Sequence, residues 1–267
     1  MLRDITIGQY YAADSAIHRM DPRTKILWTI FYMTALFMCG GAAQYAVMIL
    51  FTLWLVKKSR VPLGFVVRGL KPIVVIVILT ALLNVFMTPG ETVLFSKGIF
   101  TVTLEGVYMA VKMTVRIILL ITASSLLTLT TTPTVLTGGL ELLLNPLKKI
   151  GIPIQIFVMM MSIALRFIPT LLEETDKIIK AQMSRGADFE SGSPVKRVKA
   201  MIPILIPLFV GAFRRADELA VAMECRCYNC DAERTSYRRY SFGKYDMAAL
   251  LCAAALCIAL TIIKVVL

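Results

Sequence analysis

The chain is divided by apolar runs long enough to cross a bilayer, and this limits its fold more than any other feature. A helix rises about 1.5 Å per residue, so the hydrocarbon core takes about 20 apolar residues to span. Residues 246–266 form such a run, with Asp246 at its start and Lys264 near its end. Residues 107–130 form another, with Lys112 and Arg116 one helical turn apart inside it. A third runs from about Pro72 to Met87. Residues 25–56 are too long for one span and are broken at Gly40-Gly41, which predicts a helical hairpin with short arms of about 16 residues. Hydrophobic residues make up 58% of the 267, more than a soluble core of this length could hide. The fold class is therefore all-α: a polytopic helical membrane protein with about five spans.

The positions of the charges set the expected orientation. The formal net charge is +12, and 16 of the 29 Lys and Arg lie between residues 131 and 245. Nine more precede residue 26 or fall in 57–71 (Lys57, Lys58, Arg60, Arg68 and Lys71). The segment 89–105 is nearly neutral and reads as an external loop. Basic loops stay on the cytoplasmic side, so five spans with the N-terminus inside and the C-terminus outside keep every basic cluster together. The expected organisation is a cytoplasmic N-terminal segment, 1–24, and a membrane domain of four spans, 25–130. A cytoplasmic domain follows over 131–245, and a C-terminal span over 246–267. The partner implied by the charge is the bilayer rather than nucleic acid. The polar N-terminus lacks the apolar core of a cleavable signal peptide, and six scattered cysteines suit a reducing compartment. Lys112 and Arg116 read either as headgroup-reaching side chains or as part of an ion pathway, although no acid within a span is there to pair with them.

The basic region is the informative one. Thr132-Pro133 opens a helix to about Lys149, Gly151-Ile152-Pro153 breaks it, and a second helix is expected over about 154–185. That helix begins apolar at Phe157 to Leu165 and ends amphipathic, stopping at Ser184-Arg185-Gly186, where glycine suits a left-handed cap. A polar turn leads to a third long helix, bent by Pro203 and Pro207, which repeats the passage from greasy to wet and ends at Cys225-Arg226-Cys227. One arginine in a last helical turn simply complements the helix dipole. Two, each at the wet tip of a long helix, suggest a rigid, permanently charged fork offered to a carboxylate partner.

These features resemble the transmembrane (T) component of energy-coupling factor (ECF) transporters, the EcfT family, and its vitamin-type members in particular. The resemblance rests on Gly8-Gln9-Tyr10-Tyr11, Asp14-Ser15, Ile17-His18-Arg19 and Asp21-Pro22-Arg23-Thr24-Lys25, and on the run Ser162 to Leu172. It rests also on a pair of Ala-Arg-Gly-like motifs ending two coupling helices. The first is Ser184-Arg185-Gly186; the second, Cys225-Arg226-Cys227, keeps only the arginine. Losing glycine at 227 removes the easy left-handed cap, which Asn229 could supply instead. The resemblance implies a scaffold in the cell membrane whose coupling-helix tips seat in two ABC ATPases. It also implies a separate substrate-binding membrane subunit (the S component) that carries specificity for a vitamin or other micronutrient.

Other chemistries lack their residues. One histidine, His18, cannot supply the pair of a zinc protease, and neither a G-x-S-x-G elbow nor a phosphate-binding G-x-x-x-x-G-K-[ST] loop is present. The chain is expected to be no enzyme and to hold no cofactor, ATP being bound by partners. Cys225-x-Cys227-x-x-Cys230 offers three ligands where zinc usually takes four, so no metal is expected there. An autonomous permease binding its own solute is the alternative function, but it calls for polar groups at mid-membrane, and Asn84 is the main one.

Overall fold

The computed structural model describes residues 10–97, 100–151, 153–189, 193–229 and 240–266. Its elements are α1 (Pro22–Met38), α2 (Ala42–Ser59), α3 (Leu63–Leu70), α4 (Val74–Met87), β1 (Val93–Lys97), β2 (Phe100–Thr103), α5 (Leu104–Thr130), α6 (Pro133–Leu144), α7 (Ile154–Ser184), α8 (Pro194–Glu224) and α9 (Lys244–Val266). The architecture is all-α and polytopic. The chain forms two compact units, residues 10–143 with 240–266 and residues 144–229.

In the first unit α5 is the central post, packed against α1, α2, α3 and α4, while α9 lies against α1 and α2. Tyr32, Leu36 and Met48 are fully buried between them. The hairpin turns where the glycines predict it. Gln44 Oε1 accepts the Gly40 and Gly41 amides at 2.8 and 3.2 Å, capping α2, and its Nε2 donates to Leu260 O of α9 at 3.1 Å.

Asp21 caps α1 by accepting the Arg23 amide at 2.9 Å, and Pro22 follows at the first helical position, where its missing donor costs nothing. The Asp21 amide donates to Asp246 Oδ1 of α9 at 2.9 Å. Buried Lys25 donates to His18 O, Thr130 O and Thr131 Oγ1 at 3.2, 3.1 and 3.1 Å. The Asp21-to-Lys25 motif is thus a bolt joining α1, the end of α5 and the start of α9. A buried ammonium is tolerated because all its donors are used. Gly139 of α6 lies so close to α1 that a Cβ there would stand 2.7 Å from Pro22 Cβ.

Several expectations are corrected. The second half of the basic loop 57–71 is helical: α3 passes through a 3-10 turn at Lys71-Pro72-Ile73 into α4, the proline bending the helix rather than starting it. The expected external loop 89–105 contains an antiparallel hairpin, β1 with β2, Lys97 opposite Phe100, and α5 begins already at Leu104. The helix expected to reach Lys149 ends at Leu144 and continues as a 3-10 turn over Asn145–Ile150, because Pro146 withdraws a donor.

Among the described residues, four helical stretches are long and apolar enough to cross a bilayer: Leu63–Met87, Leu104–Thr130, Ile154–Ser184 and Lys244–Val265. Three coincide with expected spans. The arms α1 and α2, 17 and 18 residues long, fall short of the length and hydropathy of the four. Instead α7, whose first half is as greasy as a span, joins them.

Arg116 has defined partners within the first unit. Its Nε donates to Tyr45 Oη at 2.8 Å and its Nη2 to Cys39 O at 3.2 Å, with the guanidinium over the Phe37 and Tyr45 rings. Cys39 caps the end of α1, where carbonyls lack helical partners, so Arg116 ties α5 to the α1–α2 turn by satisfying one. It is a structural cation.

Candidate functional site: two arginine-tipped helices

The second unit is built on α7 and α8, which pack antiparallel. Glu174 of α7 pairs with Arg215 of α8, while Tyr228, just past α8, donates its hydroxyl to Met159 Sδ near the start of α7 at 2.9 Å. Moving backward along α7 therefore moves forward along α8. Gly211 lets the carboxylate lie close, since a Cβ there would stand 3.1 Å from Glu174 Oε1. Both members of the pair are about three-quarters buried, at 25% and 27% side-chain exposure, so this is no loose surface contact.

This packing places the two arginine motifs at opposite ends of the pair. Arg185 lies eleven residues past Glu174, and Arg226 lies beside Tyr228 and hence near Met159. At 1.5 Å per residue the tips are on the order of 35 Å apart along α7, allowing for the bend at Pro169. Both arginines are exposed, and among the described residues neither has an acidic partner.

The two tips have the same backbone. At the first, Gly186 N donates to Met183 O and Ala187 N to Gln182 O, both at 3.0 Å, with Gly186 at φ +86°. At the second, Cys227 N donates to Glu224 O at 2.8 Å and Tyr228 N to Met223 O at 3.0 Å, with Cys227 at φ +56°. Each is a Schellman cap, with the arginine at the residue before the left-handed one. The expectation that Asn229 would take over the left-handed position is corrected: Cys227 adopts it itself. Ser184, whose hydroxyl donates to Lys180 O at 3.0 Å, and Cys225 are the equivalent small residues one step earlier. So all six expected site residues fall into two tips with the same backbone hydrogen-bond pattern, despite sharing only the arginine. Cys225 and Cys227 are exposed, and Cys230 lies outside the described residues.

Sequence reasoning missed the Glu174–Arg215 pair and the Tyr228–Met159 contact. The only signal for either was an acid and a base on the wet halves of two helices whose pairing the sequence does not state. The apolar first half of α8, legible in the sequence from Ile204 to Phe213, is exposed in the structure, with Ile206, Phe209 and Phe213 59%, 61% and 70% exposed.

Four helices apolar and long enough to cross a bilayer, with two exposed arginine-tipped helix ends in the second unit, define a polytopic helical membrane protein. Comparison with known proteins specifies which kind. The profile of the family described as "Cobalt transport protein" matches residues 13–237. Energy-coupling factor transporter transmembrane proteins (EcfT) are similar to it along nearly their whole length. That of Acidaminococcus fermentans is 54% identical over 88% of this chain and 87% of its own, and that of Ruminiclostridium cellulolyticum 54% over 90% and 89%. The Bacillus subtilis protein is 48% identical over 90% of each. The chain belongs to the EcfT family of ECF transporter transmembrane components.

Proposed function

We propose that this protein transmits ATP-driven motion from two ABC ATPases to a substrate-binding membrane subunit, in an importer for a vitamin or another micronutrient. The observation that carries this reading is the pair of equivalent Schellman-capped tips, each presenting an exposed arginine and set far enough apart to meet two separate subunits. A guanidinium at a rigid helix end can grip a carboxylate bidentately, and its charge does not titrate. Ion pairing between Glu174 and Arg215 holds α7 to α8, so a displacement at one tip is passed along the pair instead of being absorbed by loose helices.

Ile206, Phe209 and Phe213 give the substrate-binding subunit an apolar face to pack on. ATP binding and hydrolysis belong to the ATPases, and the chain itself holds no cofactor and carries out no catalysis. The clustering of its basic segments supports an orientation with the N-terminus and the arginine tips in the cytoplasm and the C-terminus outside. The cytoplasmic assignment of 131–245 makes α7 a coupling helix with a greasy first half, not a sixth span.

The test is co-purification of the tagged protein from native membranes, comparing wild type with Arg185→Glu, Arg226→Glu and the double variant at equal membrane expression. Wild type brings down two ATP-binding proteins and the reversals release them, since opposing one partner of a desolvated charge pair costs about 2–5 kcal/mol. Undiminished recovery with the double variant would make both arginines ordinary helix caps.

A further inference from the structure

A cavity of about 300 Å³ lies within the first unit, between α1, α2, α5 and α9, with walls that are almost wholly apolar. One side is a ladder of aromatic rings. Trp28 stacks on Tyr32 and on Phe51 at 5.6 and 5.4 Å between centroids, and Phe51 leans on Trp54 at 5.7 Å. The ladder ends under a cation, Lys58 Nζ standing 5.1 Å from the Trp54 ring. Lys25 also lines the cavity, but its ammonium is used up by three acceptors, which leaves the interior without a free charge.

The mouth is different. Ala16, Lys58 and Tyr245 line both the cavity and an adjoining recess bounded by Lys57, Arg60, Arg19 and Asp14. Asp14 is the only acid there and is already engaged, accepting from Arg19 Nε and Nη2 at 2.8 and 2.6 Å. Arg60 donates to the Asp14 carbonyl at 3.2 Å, and among the described residues Lys57 and Lys58 have no acidic partner. Three uncompensated positive charges thus stand where a deep apolar slot opens.

We propose that this slot binds one anionic phospholipid of the surrounding bilayer, an acyl chain lying along the aromatic ladder and the headgroup phosphate on Lys57, Lys58 and Arg60. The two halves of the site match the two halves of such a molecule. An apolar solute has no use for the cationic mouth, and a free anion none for the slot. Basic recesses at helix ends select anionic over zwitterionic headgroups because a net negative charge is needed to neutralise them. Bound there, the lipid fills the gap between α1, α2 and α9.

The chain's two tryptophans, Trp28 and Trp54, both line the slot, so intrinsic fluorescence reports on it directly. The experiment titrates the full-length protein in nanodiscs with phosphatidylglycerol or phosphatidylcholine bearing identical dibrominated chains, which quench tryptophan on contact. Quenching by the anionic lipid is expected to saturate at a much lower mole fraction than by the zwitterionic one. Lys57→Gln/Lys58→Gln raises the anionic midpoint by about 25-fold, roughly fivefold for each lysine lost, and Ala249→Phe on the cavity wall reduces the anion-selective amplitude. Should the double variant fail to purify, raising salt on wild type weakens the anionic lipid alone. Equal midpoints for the two headgroups in wild type would overturn the proposal. So would an anionic preference that neither the lysine substitutions nor salt reduces, since that lipid would be bound outside the slot.

Discussion

Replacing Cys227 by glycine is expected to tighten the tip of α8, and replacing Gly186 by alanine to loosen that of α7, by nearly equal amounts. Both residues sit in the left-handed region, at φ +56° and +86°, within identical hydrogen-bond patterns. An L-residue there costs roughly 1–2 kcal/mol, because its Cβ crowds the following carbonyl. Glycine avoids this but gives up more chain entropy on folding, by roughly 0.5–1 kcal/mol. The net preference for glycine is therefore about 0.5–1 kcal/mol. At 186 the effect is purely conformational, since a Cβ there would meet nothing within 4 Å. Amide hydrogen exchange in nanodiscs reads the opening of each tip, and this free energy corresponds to a two- to fivefold change in rate, roughly. Cys227→Gly slows exchange at residues 227 and 228, and Gly186→Ala speeds it at 186 and 187. An unchanged rate at either tip would refute the equivalence of the two caps. Because the arginines are untouched, ATPase capture by Cys227→Gly is expected to match wild type.

Further outcomes follow from the packing. Arg116→Met leaves Cys39 O and Tyr45 Oη without their charged donor and lowers stability by about 1–3 kcal/mol, with partial rescue by Arg116→Lys, as thermal unfolding in detergent would measure. Glu174→Ala orphans the three-quarters-buried Arg215. A double-mutant cycle with Arg215→Ala should give a coupling of about 1–3 kcal/mol, and a coupling near zero would remove the idea that the pair locks α7 to α8. Gly139→Leu forces α6 away from Pro22, and loss of the cooperative transition or a lowered melting temperature would show it. Burial holds the His18 imidazole below its ordinary pKa, against the opposing effect of its hydrogen bond to Tyr11 O at 3.0 Å. The unfolded chain therefore binds the proton more readily. This contribution to stability is complete above a pH of about 6.5 and is lost as pH falls through the lower folded value; His18→Gln should flatten that dependence.

The sequence by itself determined the class of this protein and the identity of its two tips. Apolar runs near bilayer length dictate helices, because lipid offers backbone groups no other partners, and glycine and proline punctuation placed the α1–α2 turn and both ends of α7. Arg185 and Arg226 were legible because an arginine beside small residues at a helix end is a local pattern. What the sequence could not decide depends on neighbours far along the chain. Cys227 reads as a poor left-handed residue, yet the cap is closed by contacts that include Tyr228 on Met159, 69 residues earlier. Arg116 reads as a misplaced charge until the α1–α2 turn brings Cys39 O and Tyr45 to it, 77 and 71 residues away in sequence. Glu174 and Arg215 are unremarkable on two wet helix faces until antiparallel packing buries them together. Local propensity sets where helices start and stop. Which helices meet, and so which charges are neutralised and which are left exposed, is fixed only when long-range packing offsets the cost of burying them.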